Sequence, residues 1–239
     1  MKEKLPHEGH RERLKNRFLS SGLDSFEAHN ILELLLFYSI PRQDTNEIAH
    51  ALIQRFGSVK GVFDADFSEL IKVKGIKENS ATLIKLIPQL AKAYMTEDGT
   101  DDQKLIFDSI DKVGSYLVKK FIGETKEVVY LMLLDNKFKL IKIEKIFEGS
   151  VNSSAIDARK IVEKVFSNNA SSIILAHNHP NGIHLPSMED IETTGMFASI
   201  LPSIGVTILE HFIVAGTQYY PVMTEHGLLD RNAPRLIRD

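Results

Sequence analysis

The sequence predicts an α+β protein in two parts: an all-helical N-terminal domain followed by a domain that mixes strands and helices. Three observations carry this reading. Up to about residue 95 the apolar residues recur with helical spacing. Beyond residue 104, short β-rich apolar runs alternate with helical patterns. Between them lies "MTEDGTDDQ", Met95 to Gln103, acidic and almost free of apolar residues, which reads as a linker. The boundaries are drawn at 1–97 and 104–229, and the second part has an ordinary domain size of roughly 125 residues.

The elements follow in order. "FEAHNILELLLFYSI" is too continuously apolar for one exposed stripe, so its helix is central to the first core. "TNEIAHALIQRFG" has Ile48, Ala49, Leu52, Ile53 and Phe56 on one helical face and Gly57 as its stop. "FSELIKVKGIKENSATLIKLIPQLAKAY" divides into a short helix, a turn at Val73–Ile76 and a longer helix. After the linker, "VVYLMLLD" and "KLIKIEKIFEG" flank the tight turn "NKF" as antiparallel strands. "DARKIVEKVFSNN" is an amphipathic helix with Ile161, Val162, Val165 and Phe166 on one face. "SSIILAH" is a short buried strand, "SMEDIETTGMFASIL" a helix, and "GVTILEHFIVAG" and "QYYPVM" are strands.

Composition narrows the functions. The chain of 239 residues is 43% hydrophobic and 26% charged, ordinary for a globular protein. It has no cysteine, so disulfides and thiolate metal sites are excluded and any metal must sit on His, Asp or Glu. "MKEKLPHEGHRERL" lacks the apolar core of a secretory signal, and no apolar run is long enough for a membrane span. The expected location is the cytoplasm. Net charge is −3, and residues 1–97 carry 14 basic against 13 acidic side chains. Neither half has the basic excess of a dedicated nucleic-acid binder.

The chemistry concentrates in "SSIILAHNHPNGIHLPSMEDIETT", Ser171 to Thr194. His177 and His179 sit two apart at a strand end, where side chains two apart share a face. Pro180 stops the strand and leaves the pair at a strand-to-loop edge. Ser187 opens the next helix, and Asp190 lies in its first turn. Two imidazoles and one carboxylate leave a fourth position open for water, the pattern of a catalytic rather than a structural zinc. The plain alternative is a capping box, Ser187 as N-cap with Asp190 favouring the helix dipole. His184 reads as a solvent-facing loop residue, and His211, in "LEHFIV", as a hydrogen-bonded core or near-site histidine. A hydrolytic site also needs a base. Glu144 and Glu148 share one strand face by parity, and spacing alone does not choose between them.

The joint spacing of His177, His179, Ser187 and Asp190 resembles the JAMM (MPN-plus, JAB) metalloprotease motif. "HNHPNG" with "PSMED", together with "HRERL", "ILELLLFYSIPRQDT", "RFGSVKGVFDA" and "VKGI", resembles the RadC family over nearly the whole chain. The resemblance implies a C-terminal mixed, curved sheet flanked by helices, similar to cytidine deaminase. It implies His177, His179 and Asp190 as Zn(2+) ligands and Ser187 as the group steadying the water or the oxyanion. It places the base about five residues before the "GS" turn, at Glu144, which would take a proton from the attacking water and return it to a leaving amine. RadC proteins usually carry Asp-His where this chain has Glu210-His211, so a role for that acid near the site is in doubt.

"FSELIKVKGIKENSATLIKL" resembles a helix-hairpin-helix, which presents backbone N–H groups to a DNA phosphate. Lys74, Gly75 and Lys77 would form that contact, without reading sequence. The usual Gly-h-Gly is here Gly75-Ile76-Lys77, and a scaffold role for this helix pair carries equal weight. The expected activity is water attack on a peptide or isopeptide carbonyl, with a protein or peptide substrate, sequence-nonspecific DNA on the N-terminal half and no membrane. The rivals are a metal-dependent DNA nuclease and a non-catalytic DNA-repair accessory.

Overall fold

A computed structural model of the chain describes residues 8–96, 105–149, 157–180, 182–230 and 233–238. The chain forms two compact units, residues 1–91 and 92–239. Helices α1 (Glu8–Ser21), α2 (Ala28–Leu36), α3 (Asn46–Phe56), α4 (Val59–Asp64) and α5 (Phe67–Leu70) precede the long α6 (Glu78–Thr96). The apolar face read from α3 packs inward: Ile48, Ala49 and Leu52 join Leu32 and Leu36 of α2 in one buried cluster. Gly57 ends α3 with φ 81°, as a glycine stop should. The continuously apolar α2 serves two neighbours, since Leu34 packs instead with Leu14 of α1 and Phe37.

The α5–α6 hairpin turns on one glycine. Gly75 has φ 94°, while Lys77 is not among the positive-φ residues, so the missing second glycine is not needed for this turn. A Cβ at position 75 would lie 2.6 Å from Ile48 Cδ1. Close packing of α3 onto the hairpin therefore explains the glycine without a ligand. Lys74 and Lys77 are both exposed.

The second unit contains α7 (Ile110–Lys120), β1 (Glu127–Leu134), β2 (Leu140–Gly149), α8 (Ala158–Ser167), β3 (Ser172–Asn178), α9 (Met188–Ile200), β4 (Thr207–Ala215), β5 (Gln218–Pro221) and α10 (Val222–His226). The sheet order is β2-β1-β3-β4-β5. Strand β1 runs antiparallel to β2 and β3, β3 runs parallel to β4, and β4 antiparallel to β5, so the sheet is mixed. One face carries Val113 and Leu117 of α7 on Val128, Tyr130, Met132 and Phe212. The other carries Ile161 and Val165 of α8 and Phe197 of α9 on Leu131, Leu133 and Leu175. Helices on both faces bury β1 and β3 throughout, and their middles are accordingly apolar runs, residues 128–134 and 173–176.

Along the strands and helices of this unit the structure departs from the sequence reading at several points. Phe166 is 59% exposed; the buried stripe of α8 runs through Ala158, Ile161 and Val165, one position round from it. "QYYPVM" is strand only to Pro221, after which Val222 and Met223 begin α10. Glu144 and Glu148 do not share a face. A bulge near Lys145–Phe147 shifts the register, so that Glu144 pairs with Leu131 but Glu148 pairs with Val128 on the opposite face. Among the described residues no helix is long and apolar enough to cross a membrane.

Candidate metal centre

The His-x-His segment closes β3 and α9 begins ten residues after that strand, so the two ligand-bearing pieces meet at the C-terminal end of the sheet's central strand. His177 is 2% exposed and points to the α8/α9 face, in line with Val129 of β1. His177 Nε2 lies 3.0 Å from His179 Nε2 and 3.3 Å from Asp190 Oδ1, and His179 Nε2 lies 3.7 Å from Asp190 Oδ2. One donor atom from each of the three residues falls within a span of 4.8 Å, and no other such metal-holding group occurs among the described residues.

The capping box read from the sequence is present and serves this cluster. Ser187 N and Oγ donate to Asp190 Oδ2 at 2.8 and 2.6 Å, and Asp190 N donates back to Ser187 Oγ at 3.1 Å. Both readings of Asp190 are thus compatible: the cap holds one carboxylate oxygen and leaves the other toward His177. The single hydroxyl hydrogen of Ser187 is spent on Asp190, so in this geometry the serine acts through the carboxylate. His179 Nδ1 donates to Ile183 O at 2.7 Å, which turns its Nε2 toward the cluster. Burial, and then the neighbouring His211, drive the His177 pKa down and keep that ring uncharged. Burial opposes the ionisation of Asp190, yet the hydrogen bonds from Ser187 help to hold its pKa below the usual value. Ring lone pairs and a carboxylate that converge with few protons among them suit a cation, and nitrogen and oxygen donors without sulfur suit zinc among others.

The glutamates fall differently from the expectation. Glu144 is not brought to the cluster: it pairs with Leu131, and β1 separates it from β3. By strand spacings its Cα is roughly 12 Å from that of His177. Lys142 and Lys164 bind its carboxylate at 2.5 and 2.7 Å and depress its pKa. Glu148, on the other face, is engaged by Lys145 at 3.0 Å. The acid beside the histidines is Glu127, the first residue of β1. It lies two positions beyond the Val129–His177 pair and on the same face, 7% exposed. Burial raises its pKa, while His179 lowers it and Asp190 and Glu189 raise it through their charges. Asn178 anchors this strand start: its Oδ1 accepts from Val128 N at 2.7 Å and its Nδ2 donates to Lys126 O at 2.9 Å. The sequence held a signal for Glu127, since it is the one charged residue leading an otherwise apolar strand.

His184 stays outside the cluster, its ring 6.3 Å from that of Tyr220. His211 is fully buried behind His177. Glu210 accepts from Met223 N, Thr224 N and Thr224 Oγ1, capping α10. The acid before His211 therefore holds a helix and not the cluster.

A five-stranded mixed sheet with helices on both faces and a His-His-Asp cluster at the C-terminal end of its central strand is the arrangement of a JAB-type domain. Residues 107–228 match the family described as the RadC-like JAB domain. UPF0758 protein FN0909 of Fusobacterium nucleatum is 37% identical over 229 residues, 93% of this chain and 98% of that protein. UPF0758 protein Reut_A2732 of Cupriavidus pinatubonensis is 32% identical over 218 residues, 91% of this chain and 94% of that protein. The chain belongs to the RadC family. The names of these relatives state no activity.

Proposed function

We propose that the chain is a zinc-dependent hydrolase of the JAMM type that cleaves a peptide or isopeptide bond with water. The observation that carries this reading is the meeting of His177, His179 and Asp190 within 4.8 Å beside the buried Glu127. His177 and His179 through Nε2, and Asp190 through its carboxylate, would hold the ion. Zinc bound there supplies a Lewis acid that polarises the attacked carbonyl and acidifies the attacking water. Glu127, in place of Glu144, takes the water's proton and returns it to the leaving amine, a task favoured by a carboxylate whose pKa burial raises above the ordinary value. Ser187 fixes the Asp190 oxygen that faces away from His177. Asn178 fixes the backbone on either side of Glu127.

The test uses zinc-loaded full-length protein and a library of peptides and isopeptides, with and without chelator. Glu127→Gln should keep its zinc and lose roughly 10²–10⁴ of the hydrolysis, the usual worth of a positioned base. Glu144→Gln should cut at nearly the wild-type rate, and Asp190→Ala should lose the metal. Full activity in Glu127→Gln with a dead Glu144→Gln would return the base to Glu144; chelator-insensitive cutting would remove the metal mechanism altogether.

One observation favours a second role in nucleic-acid phosphate binding, on the N-terminal unit alone. A cavity of about 470 Å³ beside the hairpin is lined by Arg42, Gln43, Gly75, Lys77 and Asn79, which offer cations and amides to an anion. If this reading holds, Arg42→Glu with Lys77→Glu should abolish a salt-sensitive affinity of the full chain for DNA.

A further inference from the structure

Behind the three candidate ligands lies a chain of contacts that belongs to none of them. Thr194 and His211 are both 0% exposed. Thr194 Oγ1 is 2.5 Å from Asp190 O, one helical turn back, and 2.6 Å from His211 Nδ1. His211 Nε2 is 2.9 Å from His177 Nδ1. Chemistry fixes the direction of these bonds. A carbonyl oxygen only accepts, so two oxygens at 2.5 Å require the threonine hydrogen between them. Thr194 has no second hydrogen, and it therefore accepts from His211 Nδ1–H. A neutral His211 is then bare at Nε2 and accepts from His177 Nδ1–H. A neutral His177 has no further ring hydrogen, and its Nε2 lone pair faces His179 and Asp190. The 3.0 Å approach of the two Nε2 atoms therefore sets the His177 lone pair against His179 Nε2.

We propose that His211 and Thr194 are positioning residues that lock His177 in its Nδ1–H tautomer, present its Nε2 to the metal and tie its ring to the helical turn carrying Asp190. This inference rests on the reading of His177, His179 and Asp190 as metal ligands. The ring of contacts is closed: His177 on β3, His211 on β4, and Thr194 and Asp190 on α9 each constrain the next. Such partners order ligands before the ion arrives, and removing them typically weakens metal binding by 10- to 100-fold.

Two measurements on the full chain test it. The first is zinc affinity by competition with a chromophoric chelator. Thr194→Val keeps the side chain's shape and removes the hydroxyl; His211→Leu removes both ring nitrogens. Each should weaken binding by roughly 10- to 100-fold. Thr194→Ser retains the hydroxyl. His211→Gln can set an amide oxygen toward His177 and an amide N–H toward Thr194. Both should stay within several-fold of wild type, a rescue that simple space-filling would not give. The second measurement is ¹⁵N NMR of the imidazole nitrogens in metal-free protein. His177 should be Nδ1–H in the wild type, with Nε2–H appearing in Thr194→Val. Wild-type affinity in both disruptive variants, or a His177 already Nε2–H in the wild type, would overturn the proposal. If the wild type binds no zinc, the hydrolase reading fails by itself, and the tautomer measurement still decides the relay.

Discussion

Gly75 offers a direct way to ask whether the α5–α6 hairpin is built for packing or for a phosphate. Replacing it by alanine places a methyl at φ 94°, in the left-handed half of conformational space, 2.6 Å from Ile48 Cδ1 and 2.9 Å from Ile48 Cγ1. The conformational part costs about 1–2 kcal/mol. The steric part is an overpacking of α3, for which about 1–3 kcal/mol is usual. Gly75→Ala should therefore destabilise the N-terminal unit by roughly 2–5 kcal/mol before any ligand is considered. The two parts separate in an Ile48→Val background, where the nearest methyl is gone: the same glycine change should cost about 1 kcal/mol less there. Hydrogen exchange followed by mass spectrometry on peptides from α3 and α6 measures local opening in the intact chain, which a single melting curve of two units would blur. A cost below about 0.5 kcal/mol, or an equal cost in both backgrounds, refutes the packing account. A variant that folds like wild type and loses only DNA binding would move the glycine to the phosphate.

Other consequences follow from side chains that hold the site in place. Asn178→Ala strips partners from Val128 N–H and Lys126 C=O next to Glu127, and should cost about 1–3 kcal/mol per group left buried and unpaired, read from denaturant unfolding of the second unit. Glu210 is a nearly fully buried acid whose pKa is raised by desolvation although its hydrogen bonds oppose the rise. A raised pKa means the folded state binds the proton more tightly, so this group's contribution is full below the ordinary glutamate pKa and is lost as pH climbs through the raised one. The stability of wild type relative to Glu210→Gln should hence decline from acid to neutral pH in urea titrations. A difference that grows with pH instead would show that the bonds to α10 outweigh the burial.

How much of this was legible beforehand depends on distance along the chain. His177, His179, Ser187 and Asp190 lie within fourteen residues, and a strand end followed by a helix start is a local pattern, so spacing drew attention to the group, while the family resemblance supplied its reading as a ligand set over a plain capping box. Glu127 lies fifty residues upstream of His177. Only the antiparallel pairing of β1 with β3 brings it in, and nothing in "TKEVVYLMLLD" states which strand will be the neighbour. Glu148 was misplaced for a related reason. Parity counting assumes a regular strand, and the bulge that breaks the count between Glu144 and Glu148 has no glycine or proline to announce it. The helices of the first unit were readable where they bury a stripe, as α3 does. Helix α7, after the linker, was missed, although it ends in Lys119 and Lys120 and begins at a Ser109 cap.

The charges on β2 acquire a different meaning from its place in the sheet. It is a border strand, and past Leu140, whose N–H is taken by Leu105 O, no strand among the described residues covers its outer side. Such a rim is an open template for a foreign chain, and a row of apolar side chains along it would invite aggregation. Lys142, Glu144, Lys145 and Glu148 make that invitation poor, because a newcomer would have to strip water from paired charges to dock. Glu144, the base that the family resemblance implied, lies among these paired charges, bound by Lys142 and Lys164 on a sheet margin that every such strand has to keep unattractive.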